Sequence, residues 1–515
     1  MIRRLQNIHG FTRTVFKTVL LSLVFTACTG DFEELNESPT GLEESRADED
    51  LLFTRALVYG MLRYTEFQRA QHLYAHHYIQ YYSVAVDYFP TGRYITRDDW
   101  LTDYWEEAYA DYAMNCQQVI NLTQDEPEKI NKTSIARIWK VFIMHRITDF
   151  WGDVPYFEAF QGDLMIAYDR QEDIYRDMLL ELEDAVNQFD PSRTLNFSAN
   201  DVMYGGSIDR WTRFANSLRL RLAMRISGVD PVLAEENVRE VLADNRLIEN
   251  NEQSAIMNYG RDFGGADENV QPMSLIKSFN EYRVSNTLID YLQDNNDPRL
   301  PVYATPVNGN YVGLTNGLNP IEVNAINRND FSQDSDIISG AYSPSAALQY
   351  AEVCFLKAEA ALRGWAAGSP QEHYEDGIRA SINYWLEVYD NLQGRVPDAG
   401  NVLPVIEITS ADIDAFLDEP AIRYDDSNAL AQIITQKWVA NINNGFESWA
   451  EYRRTGFPVL NPIPNTDGLS ETGGSTVPTR VRYPVEERTL NTVNYERAVQ
   501  NNPDLVTTRV WWDID

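Results

Sequence analysis

Apolar residues return every three or four positions along most of this chain, which is the mark of helices with one buried face. From about Asp50 to Tyr82 the series is Leu52, Ala56, Tyr59 and Leu62, and a second helix is predicted from about Asp98 to Leu122 with Trp100, Tyr104 and Tyr112 on it. A third, from about Thr133 to Trp151, is apolar nearly all round (Ile138, Trp139, Phe142, Ile143, Ile147, Phe150), so it is predicted to be central, with Gly152 and Pro155 ending it. Ile174, Met178, Leu182, Ala185 and Phe189 repeat a spacing that returns at Tyr374, Ile378, Ile382, Trp385 and Tyr389. The later helix has a clear start: Ser369 can cap, Pro370 suits the first helical position and Glu372 completes a capping box. Its predicted partner, about Pro344 to Arg363, carries Ala351, Ala358, Ala360 and Ala361 and stops at Gly364. Two helices joined by a short turn, with small residues at the contact, read as a helical-hairpin repeat. Trp211, Ala215, Leu218 and Leu222 make a further amphipathic helix, and Asp230-Pro231 starts the next.

The pattern breaks in a few places. Tyr81 to Trp100 gathers Tyr82, Tyr88, Phe89, Tyr94 and Trp100 around Pro90 and Gly92. From about Asn250 to Tyr342, Gly, Asn, Asp and Pro dominate, which predicts irregular loops over a helical scaffold. Gly394 to Pro404 and Pro458 to Pro478 have the same character.

The first residues follow another logic. Arg3, Arg4, Arg13 and Lys17 precede a short apolar run, Val19 to Phe25, and then Thr26, Ala27 and Cys28. This is the order of a secretory signal peptide, and the run is too short to span a bilayer. With a cysteine directly after the small residue, it resembles a lipobox, in which the cysteine sulfur is acylated and becomes the new N-terminus. Phe25 stands where Leu or Val is usual. Asp31, Glu33 and Glu34 resemble the surface-export signals of Bacteroidetes lipoproteins. The expected organisation is a signal peptide over 1–27, an acidic tether over 28–50 and one domain over 51–515.

Charge narrows the range of partners. The 515 residues carry a formal net charge of −34, and removing residues 1–27, with four basic residues and no acidic one, takes this to −38. Such a field repels phosphate backbones, so nucleic acid is excluded as a partner. With Cys28 acylated, Cys116 and Cys354 remain, both in helical stretches where a thiol acts as a small buried hydrophobe, so no disulfide framework is expected. No second apolar run is long enough to cross a membrane.

The chemistry-bearing side chains form no clear catalytic pattern. His72 and His76 stand at helical spacing beside His77, but lack a nearby Glu in the protease spacing and a third ligand, so buried or surface histidines are expected rather than zinc. Asn329, Asp330, Asp334 and Asp336 offer clustered oxygens of the kind calcium takes, and a solvated loop is the preferred reading. No Gly-x-Ser-x-Gly elbow or phosphate-cradling glycine loop occurs, and with 77 acidic residues carboxylate pairs arise by chance. Neither a metal nor a cofactor is expected. Loop aromatics are the stronger signal, because ring faces stack on sugars and apolar side chains. Tyr88, Phe89 and Tyr94 are the candidate ligand-binding residues, with Phe263 and Tyr311 behind them; Tyr82 and Trp100 are expected to pack between helices.

Several stretches together resemble the SusD/RagB family of outer-membrane lipoproteins, in its second SusD-like branch. They are Ile147-Thr148-Asp149-Phe150-Trp151-Gly152-Asp153-Val154-Pro155-Tyr156; Trp211 through Arg225; Asp297-Pro298-Arg299-Leu300; Tyr350-Ala351-Glu352 through Glu359-Ala360; Gly445-Phe446-Glu447 through Arg453-Arg454-Thr455-Gly456-Phe457-Pro458; and Arg482-Tyr483-Pro484 with Glu487 and Asn491. The resemblance implies a mainly α fold, a tetratricopeptide-like helical-hairpin scaffold with irregular loops covering one side. It implies a non-enzymatic, nutrient-binding lipoprotein, anchored in the outer membrane through Cys28 and facing the exterior. Such a protein captures a glycan or peptide and delivers it to a SusC-like TonB-dependent transporter. The alternatives are a surface lipoprotein glycoside hydrolase or peptidase, and a helical-repeat scaffold that binds no small ligand.

Overall fold

Helix pairs stacked side by side account for most of the chain. The computed structural model describes residues 48–163, 165–260, 270–393, 403–469 and 477–514. Helices α1 (Glu49–Gly60), α2 (Phe67–His76), α3 (Asp98–Glu107), α4 (Met114–Thr123), α5 (Ile130–Trp151), α6 (Gln171–Gln188), α7 (Ile208–Arg225) and α8 (Pro231–Asp244) fill the first half. Helices α9 (Tyr350–Leu362), α10 (Pro370–Gln393), α11 (Ala429–Ala440) and α12 (Gly445–Thr455) fill the second. Neighbours in sequence pack as hairpins, α4 on α5, α5 on α6, α7 on α8 and α9 on α10, and α6 on α7 and α9 on α11 join one hairpin to the next. The residues from Glu49 on form one unit.

Helix α5 is the centre, as its uniformly apolar pattern predicts. Trp139 is fully buried, stacks on Phe142 at 4.4 Å and donates its indole N–H to the Ala56 carbonyl at 2.8 Å. The predicted helix from Asp50 to Tyr82 is broken beside it. Gly60 approaches Trp139 so closely that a Cβ would lie 2.8 Å from Nε1, and Leu62 takes a positive φ of 73°. The chain then re-forms as a short turn, Tyr64–Glu66, and continues into α2, which is wound as a π-helix. Gly152 ends α5 with a φ of 91°, and Ser369 caps α10, its Oγ accepting from the Glu372 amide at 3.4 Å. The α9–α10 hairpin packs tightly at Gly377, where a Cβ would meet the Phe355 ring at 2.7 Å; Ala351 and Ala358 of α9 belong to the same apolar cluster as Phe355.

Two short sheets correct the reading of the loop regions. β1 (Tyr82–Val84) pairs antiparallel with β3 (Tyr282–Val284), and β2 (Ala255–Met257) with β4 (Ser345–Leu348). Pro344 to Leu348, expected to start a helix, therefore enters a strand first. The 250–342 stretch is not purely irregular either: besides β2 and β3 it holds helical turns at Pro272–Ser278, Asn286–Asp294 and Pro320–Ala325. Three-residue strands show no alternation long enough to see in a sequence.

The stretches that carry the family resemblance meet in a buried ionic core. Arg221 on α7 grips Glu352 on α9 at 2.7 and 2.8 Å. Arg225 pairs with Glu447 on α12 at 2.6 Å and with Glu451. Lys437 on α11 reaches Glu447 at 2.9 Å, and Arg454 binds Glu359 at 2.7 and 2.6 Å. Burial alone would raise the Glu447 carboxyl, but Arg225, Lys437 and Arg221 outweigh it and hold it well below the usual carboxylate range. Asp297 and Arg299 pair separately at 2.6 Å, also fully buried. These charges belong to the scaffold; they compensate one another where an unpaired charge is costly.

Cys116 and Cys354 are free and buried, as expected, and burial pushes the Cys354 thiol up to about 12. Among the described residues no helix is long and apolar enough to cross a membrane. Cys28 lies outside them.

Candidate functional site

Where β1 leaves its sheet, it carries aromatic rings to the surface. Tyr88 is 58 % exposed and Phe89 is half-buried; their rings meet edge to face at 4.8 Å. Phe89 in turn meets Trp100, in the first turn of α3, edge to face at 5.7 Å. Across the β1–β3 pair, Tyr88 donates its hydroxyl to Glu281, just before β3. Burial and the Glu281 carboxylate push the Tyr88 hydroxyl up to about 12, so it stays a neutral donor. Phe279, 53 % exposed, lies against Tyr64 at 6.1 Å, and the Glu281 charge is felt at Tyr64 as well. Trp100, Phe89 and Tyr88 form one run of rings and Tyr64 and Phe279 a second, with Glu281 acting on both; together they are the candidate platform.

Polar groups edge this platform. The Arg97 guanidinium lies over Trp100 at 4.7 Å and pairs with Asp99 at 3.0 and 2.8 Å. Arg69 pairs with Asp103. At the other end Tyr64 also lines a cleft of about 290 Å³, with Arg63, Tyr259, Pro272 and Leu275. Rings that offer a face to water, edged by fixed donors and acceptors, suit a flat polyhydroxyl ligand, whose ring faces are apolar and edges polar.

The candidate residues divide. Tyr88 and Phe89 lie on the platform. Tyr94 does not: it is only 4 % exposed, with its ring against Tyr78 at 5.6 Å. A short 3₁₀ turn, Thr91–Arg93, ends at Tyr94 with φ 63°, and that left-handed step turns the ring inward. Tyr311 is half-buried and packs against the core, with no ring contact to the platform among the described residues. Phe263 lies outside the described residues. Tyr82 is in the core, as expected, and Trp100 is half-buried and packs against the core with one edge on Phe89. Tyr64, Phe279 and Glu281 were not foreseen, because they come from separate stretches that only the β1–β3 pairing brings together.

The other chemical candidates do not assemble. His72, His76 and His77 are buried with rings 5.1 to 5.8 Å apart, and burial pulls His76 and His77 down to about 3, so they are neutral packing residues. Among the described residues no group of three or more His, Cys, Asp or Glu is placed to hold a metal ion. In the 329–336 stretch, where calcium is the lesser reading, Asp334 accepts from the Tyr282 hydroxyl at 3.0 Å, Asp336 pairs with Lys277 at 2.7 Å and Asp330 accepts from Asn327 at 3.0 Å. Each oxygen cluster is already committed to a protein donor.

The stacked helical hairpins define a mainly α scaffold of the tetratricopeptide-like class. Residues 43–484 match the SusD-like family described as starch-binding and associating with the outer membrane. This chain belongs to that SusD-like family. A chitin-binding protein of known structure is 31 % identical, with 91 % of this chain and 100 % of that one aligned at a TM-score of 0.79. A chitin-binding SusD homologue from Flavobacterium johnsoniae is 26 % identical over 91 % and 99 % of the two chains, at a TM-score of 0.76. A SusD homologue from Parabacteroides distasonis is 25 % identical over 91 % and 98 %, at 0.78. No curated protein sequence matches.

Proposed function

We propose that this protein is a non-enzymatic, lipid-anchored nutrient-binding protein of the outer-membrane surface. It captures a glycan on the Trp100–Phe89–Tyr88–Tyr64–Phe279 platform and delivers it to a SusC-like TonB-dependent transporter. The carrying observation is the platform itself: Tyr88 and Phe279 keep more than half their surface in water, although a scaffold of this size has ample core to bury them. Chitin-binding relatives support a glycan over a peptide. The signal-like stretch before Cys28 supports the anchor.

Calorimetry with chitin oligosaccharides is the test. Each ring face contributes about 0.5–1.5 kcal/mol beyond area burial, so Tyr88→Ala/Trp100→Ala should weaken binding about tenfold or more. Unchanged affinity in the double variant would remove the platform as the site. Turnover of the oligosaccharide, abolished by changing one carboxylate, would replace this reading with a hydrolase.

A further inference from the structure

Helix α5 is buried along its whole length except at Ile130, Arg137 and Lys140. These positions fall on one helical face. They open on a cavity of about 400 Å³ between α4, α5 and α6, walled also by Gln117, Tyr156 and Glu181. That volume lies in the range of small-molecule sites, roughly 300–1,000 Å³. The cavity shares no lining residue with the aromatic platform.

The two cations in it are used differently. Arg137 is satisfied: its guanidinium pairs with Glu181 at 2.6 Å and donates to Gln188 at 2.9 Å. Lys140 donates to the Gln117 side-chain carbonyl at 2.9 Å and approaches the Phe160 ring at 5.8 Å, but forms no ion pair among the described residues. The nearby Asp177 carboxylate already accepts the Tyr156 hydroxyl at 2.8 Å. In a chain with 77 acidic and 43 basic residues, a lysine drawn into the protein with no carboxylate at ion-pair distance among the described residues stands out. Burial pulls its ammonium below the ordinary lysine range. Glu181 and Asp177 attract that ammonium from a distance and offset its desolvation only in part.

We propose that this cavity is a second ligand site, for a small carboxylate-bearing sugar of the uronic acid class. The carboxylate pairs with Lys140, and the Gln117 amide and Glu181 carboxylate bond the ring hydroxyls. Ile130 and Val141 provide the apolar wall on which a sugar ring rests.

Titration of the purified protein with glucuronate, glucose and acetate tests this. Glucuronate should bind saturably, with glucose and acetate each about tenfold weaker, because each lacks half of the contacts, a difference of about 1.4 kcal/mol. Lys140→Met should weaken glucuronate by a similar factor without lowering the thermal midpoint, since it removes a charge whose desolvation is offset only in part and keeps the stem. Should that variant not fold, Gln117→Ala, on the cavity wall, is to show the same direction of change. Tyr88→Ala/Trp100→Ala should leave glucuronate affinity unchanged, which separates this site from the platform. Absence of saturable glucuronate binding, acetate binding as tightly as glucuronate, or full affinity after loss of the Lys140 charge would each overturn the proposal.

Discussion

Arg454 and Glu359 face each other as a two-pronged ion pair, at 2.7 and 2.6 Å, with both side chains sealed from solvent. Helices α9 and α12 are held together there, and Glu451 adds a second carboxylate to the same guanidinium at 2.7 Å. Removing Glu359 leaves Arg454 to Glu451 alone, a carboxylate that Arg225 also uses, and so a buried charge only partly balanced, a loss of about 3 kcal/mol. Glu359→Ala should therefore lower the free energy of unfolding by that order in a denaturant titration. A change within the error of such a titration would mean that water reaches this core.

The histidines of α2 set an acid limit. His76 and His77 stand at about 3 in the fold against an ordinary 6.5, through burial and, for His76, the neighbouring His77, with His72, Tyr82, Tyr81, Tyr282 and Phe67 around the cluster. Between those values the unfolded chain takes up protons that the folded chain refuses. Stability is thus full above pH 6.5 and is lost as the pH falls toward 3. By pH 5 the loss is roughly 2 kcal/mol for each of the two. His76→Leu should flatten the pH 7-to-5 slope by about that amount; an unaltered slope would show that His76 is charged in the fold.

Core and platform should respond in opposite ways. Trp139→Ala removes a fully buried indole and should cost about 3–5 kcal/mol of stability. Tyr94→Ala should also act on stability, since the ring packs on Tyr78, and leave ligand affinity alone. Tyr88→Ala should do the reverse. Thermal midpoints set beside oligosaccharide affinities for these variants decide the assignment; equal effects across them would show that the core has been misplaced.

Most of the scaffold was legible because a helix writes its buried face into the chain every three or four residues. The run Ile138, Trp139, Phe142 and Ile147 marked α5 as central before any contact was known. Charged residues inside otherwise apolar helices, such as Arg225 and Glu359, marked the family and turned out to be the ionic core. The binding surface was only half legible. Tyr88 and Phe89 stood out beside Pro90, but Tyr94 was misjudged because one left-handed residue decides which way its ring faces. Phe279 and Glu281 were invisible, since two three-residue strands bring them to Tyr88 and neither is long enough to show alternation.

For the anchor, Cys28→Ala should release a folded protein from the membrane fraction, because two or more acyl chains provide the durable attachment, at about 0.8 kcal/mol per buried methylene. Retention of the variant in that fraction after a salt wash would remove the lipid claim.

The ionic core also joins residues far apart in the sequence. Trp512 donates to the Asp149 carboxylate at 3.0 Å across 363 positions of sequence, and Arg225 meets Glu447 across 222. Contacts between such distant residues form late, because the intervening loop must close first. Until residue 512 has been made, Asp149 lacks one of its donors and the centre of the molecule is incomplete. The last of the donors to Asp149 thus comes from the opposite end of the sequence to most of its neighbours, and losing it should loosen the centre of the molecule rather than its rim.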